Sequence, residues 1–382
     1  MQHARVQGGG LLKVAIVHYW MLENGGGERV AEAIASIYPD ADIYALFKRG
    51  NACASLTRRL KCTFVNRIPF IKVLYRAMLP IYPLAAESLD LRCYDLVISS
   101  DTNVMKGVLV DQGAVHICYC HTPMRYVWDL YRDFLKRTPF VFRPIFAINA
   151  HYLRLWDFCA AQRVDHFVAN SKYIQTRIQW AYRRDSIVIY PCVDTSKGYV
   201  SDERGDYYLS VGRLSATKRI DLLIHACNRM KRTFVIAGAG QEEKRLRSIA
   251  GPTIKFVGRV PDGELTTLYA QCRAFLFAAD EDFGIAPVEA QSYGRPVIAY
   301  GHGGSLETVR VNDPSGASDT GVYFPEQTVD AVMDGIERFE LIEQRFVPAE
   351  IQSHARQFDT SIFVKKIEEF IKGVLPNSGA GV

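Results

Sequence analysis

Two glutamates eight positions apart, Glu281 and Glu289, stand in the stretch DEDFGIAPVEAQSYGRPVIA (280–299). Pro287 suits the first turn of a helix and Gly294 suits its end, so Glu289 falls just inside a helix and Glu281 in the loop before it. Four chemistries use carboxylates in such places: a hydrolase pair, a metal site, a helix-dipole partner, or a clamp on ligand hydroxyls. A glycosidase pair must face each other across one bond, and nothing in the spacing establishes that. Asp280-Glu281-Asp282 and Asp40-Ala41-Asp42 both match D-x-D, but no His or third carboxylate joins either, so no metal site is expected. Elsewhere, Arg213 and Lys218 lie five apart in SVGRLSATKRI, in a loop between a strand and a helix. Two cations beside a helix N-terminus suit a pyrophosphate, though an exposed basic loop has the same composition. Gly25-Gly26-Gly27 follows a strand and precedes a helix, either to let backbone approach a phosphate or only to make a turn. His121 ends an apolar run, where it can bond a substrate hydroxyl or be a satisfied core histidine.

The elements that must position these residues alternate. LLKVAIVHYW (11–20) reads as a strand, and ERVAEAIASIY (28–38) has helical periodicity with Val30, Ile34 and Ile37 on one face. Strand-like runs recur at DLVISS, VHICYCH, HFVANS and SIVIY, and after a polar break at YYLSVGR, TFVIAGAG, IKFVGRV, AFLFAA and PVIAY. Strands alternating with helices predict two parallel α/β domains. Such folds bind ligands at the carboxyl ends of strands, which is where the glycines, His121, Arg213, Glu281 and Gly303-Gly304 fall. The expected layout is a flexible tail over 1–10, one α/β domain over 11–190, a second over 191–360, and an amphipathic C-terminal helix with a tail over 361–382.

Composition narrows the function classes. The 382 residues are 48% hydrophobic and carry a net charge of +5. The charge is uneven: +9 over residues 1–190 and −4 over 191–382, which supports a boundary near 190. Ile43 to Ala86 holds no acidic residue but eight basic ones, among them Lys48, Arg59, Lys61, Arg67, Lys72 and Arg76. Phe134 to Trp156 is also acid-free and mixes Lys136, Arg137, Arg143 and Arg154 with aromatics. These stretches suit an anionic lipid surface or simply a solvated face; no recognition motif points to nucleic acid. No apolar run is long enough to span a bilayer, and MQHARVQGGG does not read as a signal peptide. Nine cysteines without a C-x-x-C are expected to be reduced core thiols in a cytoplasmic protein.

Taken together, Gly25–Gly27, His121, Arg213 with Lys218, and Glu281-x7-Glu289 followed by Gly294-x-Pro296-Val-Ile-Ala resemble glycosyltransferase family 4, retaining enzymes of the GT-B fold. Within it, VAIVHYWMLENGGGERV and YCHTPMRYVWDLY look like the WbaZ-like branch of bacterial O-antigen and exopolysaccharide mannosyltransferases. The resemblance implies two Rossmann-like domains facing a central cleft, 11–190 on the acceptor side and 191–360 binding the nucleotide sugar, with the C-terminal helix over 361–382 packing back towards the first. It implies transfer of a hexose, mannose from GDP-mannose, to a lipid-linked saccharide acceptor at the inner face of the cell membrane, with no other cofactor and no metal. Arg213 and Lys218 would hold the donor diphosphate, Glu289 the ribose, and Glu281 the sugar hydroxyls. Phe283, Gly284 and Ile285 would line phosphate and sugar, Arg259 and Val260 would lie against the base, and His121 would reach the sugar. Gly26 and Gly27 would admit the diphosphate, and Asn170 and Ser171 would face the cleft. Asp282 replaces the glycine many relatives carry after the first glutamate, which leaves the sugar pocket open. The residue pattern leaves two other readings, a non-hydrolysing sugar-nucleotide epimerase of the same fold and a nicotinamide-dependent oxidoreductase; the missing G-x-G-x-x-G counts against the latter.

Overall fold

The computed structural model describes residues 12–375 apart from 23–24, 50–52, 54, 57–58, 70, 72–77 and 313–317. The N-terminal tail and several members of the first basic stretch, Arg58, Lys72 and Arg76 among them, lie outside the described residues. The chain divides into two compact units, one of residues 1–190 with 363–382 and one of 191–362.

In the first unit the strands are β1 (Val14–His18), β2 (Asp42–Ala45), β3 (Leu60–Cys62), β4 (Leu96–Asp101), β5 (Val115–Cys120), β6 (His166–Ala169) and β7 (Ser186–Val188). They form one sheet in the order β3-β2-β1-β4-β5-β6-β7, with every pairing parallel. β1 and β4 are buried along their whole length, as central strands covered on both faces must be. Chain order reverses between them, and their register sets His18 opposite Ser100 at the carboxyl end. The helix Gly26–Ile37 follows β1 and buries Val30, Ala31 and Ile34. It begins two residues before the periodicity suggested, so Gly26 and Gly27 lie in its first turn, with Gly25 as a cap that offers no side chain. The last helix, Thr360–Val374, buries Phe363, Ile367 and Ile371, one stripe at four-residue spacing. Phe363 meets the Tyr119 ring at 5.7 Å and Phe370 meets His166 at 6.0 Å, which fastens the helix to β5 and β6.

In the second unit the strands are β8 (Tyr208–Val211), β9 (Phe234–Ala237), β10 (Ile254–Gly258), β11 (Ala274–Phe277), β12 (Val297–Tyr300) and β13 (Gly321–Phe324). Their order, β10-β9-β8-β11-β12-β13, repeats the first unit's pattern, and the pairings are again parallel. Leu223, Phe234, Phe324 and Phe339 fill the core on one face. Both units are thus Rossmann-like, each with its topological switch between the first and fourth strands.

Candidate functional site

The second unit's switch point gathers most of the singled-out residues. Gly212 and Arg213 leave the end of β8, and a short 3₁₀ turn, Ala216–Lys218, carries Lys218. Across the switch, Asp280 to Phe283 leave the end of β11 and run into the helix Ile285–Ser292. Lys218 Nζ is paired directly with Glu281 Oε1. Burial, and then the neighbouring Arg213 charge, lower the Lys218 ammonium to about 8, while Asp282 pulls the other way. Arg213 itself is exposed. Two cations, two carboxylates and a helix start therefore occupy one small region.

The loop that presents Glu281 is fixed from behind. Gly304 N donates to Glu281 O at 2.8 Å, and a Cβ on Gly304 would stand 2.3 Å from Phe283 Cα, so only glycine allows the two loops to touch. Phe283 is buried against Phe358, at 5.4 Å between rings. His302 Nδ1 and Asp280 Oδ1 are 3.0 Å apart, a contact not foreseen from the sequence. Gly284 caps the helix with φ +89°, and the helix's first amides have no intrahelical acceptor. One turn on, Glu289 Oε2 accepts from Tyr269 OH at 3.0 Å, and Tyr269 stacks on Tyr293 at 5.5 Å. Glu281 and Glu289 are therefore held from different elements, Glu281 by Lys218 and Glu289 by Tyr269. Arg259 and Val260 sit just past β10, the first exposed and the second half-buried.

The first unit holds the others. His121 is buried at the end of β5, and its Nε2 lies 2.9 Å from Ser100 Oγ. Ser100 Oγ also lies 3.0 Å from His18 Nδ1, so one hydroxyl bridges two imidazoles. Neither His18 nor Ser100 was singled out in the sequence. The hydroxyl has one proton, so it donates to one ring and accepts from the other. His18 Nε2 is buried and finds no hydrogen-bond partner among the described residues. A buried lone acceptor is tolerated better than a buried lone N–H. The favoured arrangement therefore has His18 Nδ1–H donating to Ser100, Ser100 donating to His121 Nε2, and the proton of His121 on Nδ1. Burial also holds His121 neutral, lowered to about 4, and holds His18 well below the ordinary imidazole range. His121 is set up as a neutral hydrogen-bond donor rather than a general base at pH 7. In nitrogen-15 spectra of the protein, His121 is expected to stay neutral and Nδ1-protonated from pH 8 to pH 5; Ser100→Ala is expected to make its tautomers mix.

Gly27 approaches Tyr19 so closely that a Cβ would lie 2.4 Å from the phenol oxygen. Ser171 caps the helix Lys172–Tyr182, accepting from Ile174 N at 3.1 Å, and Asn170 is buried beside it. No cluster of three or more His, Cys, Asp or Glu able to hold a metal is present among the described residues.

Comparison with known proteins falls on the same unit. Residues 194–357 match the family described as "Glycosyl transferases group 1". The match falls within the second unit. Among curated relatives, the alpha-1,3/1,6-mannosyltransferase ALG2 of Saccharomyces cerevisiae is 25% identical over 56% of this chain and 54% of its own. A GDP-mannose-dependent alpha-mannosyltransferase of Corynebacterium glutamicum is 34% identical over 26% of this chain and 24% of its own. The chain spans about half the length of the curated relatives it matches. Among solved structures, Anabaena Alr3699/HepE in complex with UDP and glucose is 19% identical, with a TM-score of 0.69 over 95% of this chain and 100% of that one. That likeness establishes the fold, two parallel Rossmann-like domains of the GT-B class.

Proposed function

We propose that this protein is a retaining glycosyltransferase that moves a hexose, mannose from GDP-mannose, to a lipid-linked saccharide in bacterial O-antigen or exopolysaccharide synthesis. The observation that carries the proposal is the arrangement of Arg213, Lys218 and Glu281 around the second unit's switch point, beside the start of the Ile285–Ser292 helix. The leaving group of such a transfer is a nucleoside diphosphate, whose growing negative charge needs fixed positive partners. Arg213, Lys218 and the helix's first amides supply them in this proposal, and a metal ion is not required. Glu281 would accept from sugar hydroxyls and Glu289 from the ribose, while Arg259 and Val260 would lie against the base. For the transfer itself, the acceptor oxygen bonds the anomeric carbon as the carbon–phosphate oxygen bond breaks on the same face. The acceptor's proton passes to the departing phosphate, which leaves Glu281 with a positioning and electrostatic part. His121, Gly26, Gly27, Asn170 and Ser171 enter through the family resemblance alone, and the neutral Nδ1–H of His121 suits it to a sugar hydroxyl.

Mannose is favoured by the two mannosyltransferase relatives, one of them named for GDP-mannose. The epimerase and oxidoreductase readings gain no comparable support. A thermal-shift panel of GDP-mannose, UDP-glucose, ADP-glucose and a dTDP sugar tests the donor. GDP-mannose is expected to raise the melting temperature most. Stabilisation by another nucleotide sugar without any by GDP-mannose would overturn the donor assignment. Release of nucleoside diphosphate only in the presence of acceptor would separate transfer from epimerisation. The lipid-linked acceptor places the protein at the inner membrane face; among the described residues no helix is long and apolar enough to cross it.

A further inference from the structure

The helix Arg143–Gln162 is apolar on two opposite sides. One side buries Ala150, Leu153, Ala160 and Ala161 against the first unit. The other presents Ile145, Ile148, Tyr152 and Leu155 to solvent, between 47% and 70% exposed. Their spacing of three and four residues draws a single stripe, about 15 Å long at 1.5 Å per residue. A helix lying on a soluble core needs only one apolar face, so the second stripe has no account in the fold.

The stripe continues into the chain before it. Phe140, Val141 and Phe142 form a 3₁₀ turn and are 81%, 76% and 58% exposed. The turn is braced: Arg143 Nε donates to Thr138 O at 3.1 Å and its Nη2 to Lys136 O at 3.1 Å. Three large apolar side chains are thus held outwards on a tied knuckle. Around them the charge has one sign. From Phe134 to Trp156 the chain has Lys136, Arg137, Arg143 and Arg154 and no acid; of the exposed carboxylates just before it, Asp133 and Asp129, the second is paired with Arg125 and Arg177.

We propose that the Phe140–Phe142 knuckle and the outer stripe of the Arg143–Gln162 helix form a docking surface for an anionic lipid bilayer. The apolar side chains enter the boundary between headgroups and acyl chains, and Lys136, Arg137 and Arg143 lie among the phosphates. A second copy of this chain is the other occupant an apolar stripe could take. It is disfavoured because a symmetric contact would bring Lys136, Arg137 and Arg143 of both copies together. This inference names the surface for the membrane partner proposed above and does not depend on the donor.

The test is co-sedimentation of the full chain with vesicles of phosphatidylcholine alone or with phosphatidylglycerol. Binding is expected to rise at least tenfold with the anionic lipid and to weaken in high salt. Phe140→Ser/Phe142→Ser is expected to lower it at least tenfold and Lys136→Glu/Arg137→Glu several-fold. All four positions are exposed, so both variants should fold, which their melting curves check. Phe140→Trp should show blue-shifted emission on anionic vesicles. Wild-type protein that is stabilised by a nucleotide sugar yet ignores these vesicles would sink this surface and leave the donor proposal standing. A dimer in sedimentation that the Phe140→Ser/Phe142→Ser variant dissolves would give the stripe to a second copy instead.

Discussion

Lys218→Ala is expected to lower kcat/KM for the donor by about 10²–10³-fold, the usual consequence of removing one preorganised charge from a developing anion. The pH dependence distinguishes this from a loss of fold. In the free protein the Lys218 ammonium is lowered to about 8 by burial and by Arg213. A diphosphate beside it raises that value, so binding above pH 8 takes up a proton. Donor affinity should be flat below about pH 7.5 and fall by up to about tenfold per pH unit above 8. Lys218→Ala should abolish that slope, and Lys218→Arg, which stays charged, should restore affinity while keeping the profile flat. The sign for folding is opposite. The unfolded chain holds this proton up to about pH 10.4, so stability from this group rises between pH 8 and that value. A fall in donor affinity can then not be blamed on unfolding through Lys218. The ion pair adds a second expectation, because Glu281 occupies the cation that the diphosphate needs. Glu281→Gln frees Lys218, so nucleoside diphosphate should bind at least as well as to wild type while transfer of the sugar falls. Equal loss of both would argue that Glu281 only holds the loop.

The alternation of strands and helices was enough to foresee two parallel α/β units, because central parallel strands such as VAIVH and LVISSD are buried along their whole length and so begin as apolar runs, turning polar only towards their carboxyl ends. The punctuation around Glu281 and Glu289 was equally legible, since Pro287 and Gly294 act through local backbone preferences. Contacts set by register were not. His18 and Ser100 are 82 positions apart and meet only because β1 and β4 pair in one register. In the sequence each is an unremarkable polar residue at a strand end. The pairing of Lys218 with Glu281 spans 63 positions and depends on two loops meeting at the switch point. The acid-free stretch from Phe134 was visible, yet composition could not say which side of the helix the core would take. Ile145 and Leu153 differ in exposure by the angle between them, not by residue type.

Lys106→Met is expected to destabilise the first unit by about 3–5 kcal/mol, the cost of leaving buried charge without its partner. Lys106 reads as an ordinary polar interruption in NVMKGVLV, but its side chain is only 1% exposed and lies among carboxylates. Its Nζ is 2.5 Å from Asp157 Oδ1, 3.2 Å from Asp101 Oδ2 and 2.7 Å from Asn103 O. Asp157 Oδ2 accepts from Trp128 Nε1 and from Tyr182 OH, each at 2.8 Å. Burial disfavours the ammonium, but Asp157, Tyr182 and Asp101 outweigh it and hold Lys106 well above its usual range. Burial raises the Asp157 carboxyl, and Lys106 is the main group opposing that rise. Without Lys106 the carboxyl must rise further. The unfolded carboxyl then binds fewer protons than the folded one above about pH 4, so the variant loses stability relative to wild type as pH increases. The gap between the two proteins in urea unfolding should be smaller at pH 5 than at pH 8. Lys106→Met with Asp157→Asn removes both buried charges of the closest pair while an amide oxygen still accepts from Trp128 and Tyr182. The double variant should recover at least about 1 kcal/mol of the single variant's loss. This network also reaches His121, whose backbone N–H donates to Asp101 O at 2.9 Å. Lys106→Met is expected to mix the His121 tautomers as well, and a double variant that recovers stability should show the single Nδ1–H tautomer again in nitrogen-15 spectra. If stability returns and the tautomer stays mixed, the charged triad itself, beyond the fold it supports, sets the position of that ring.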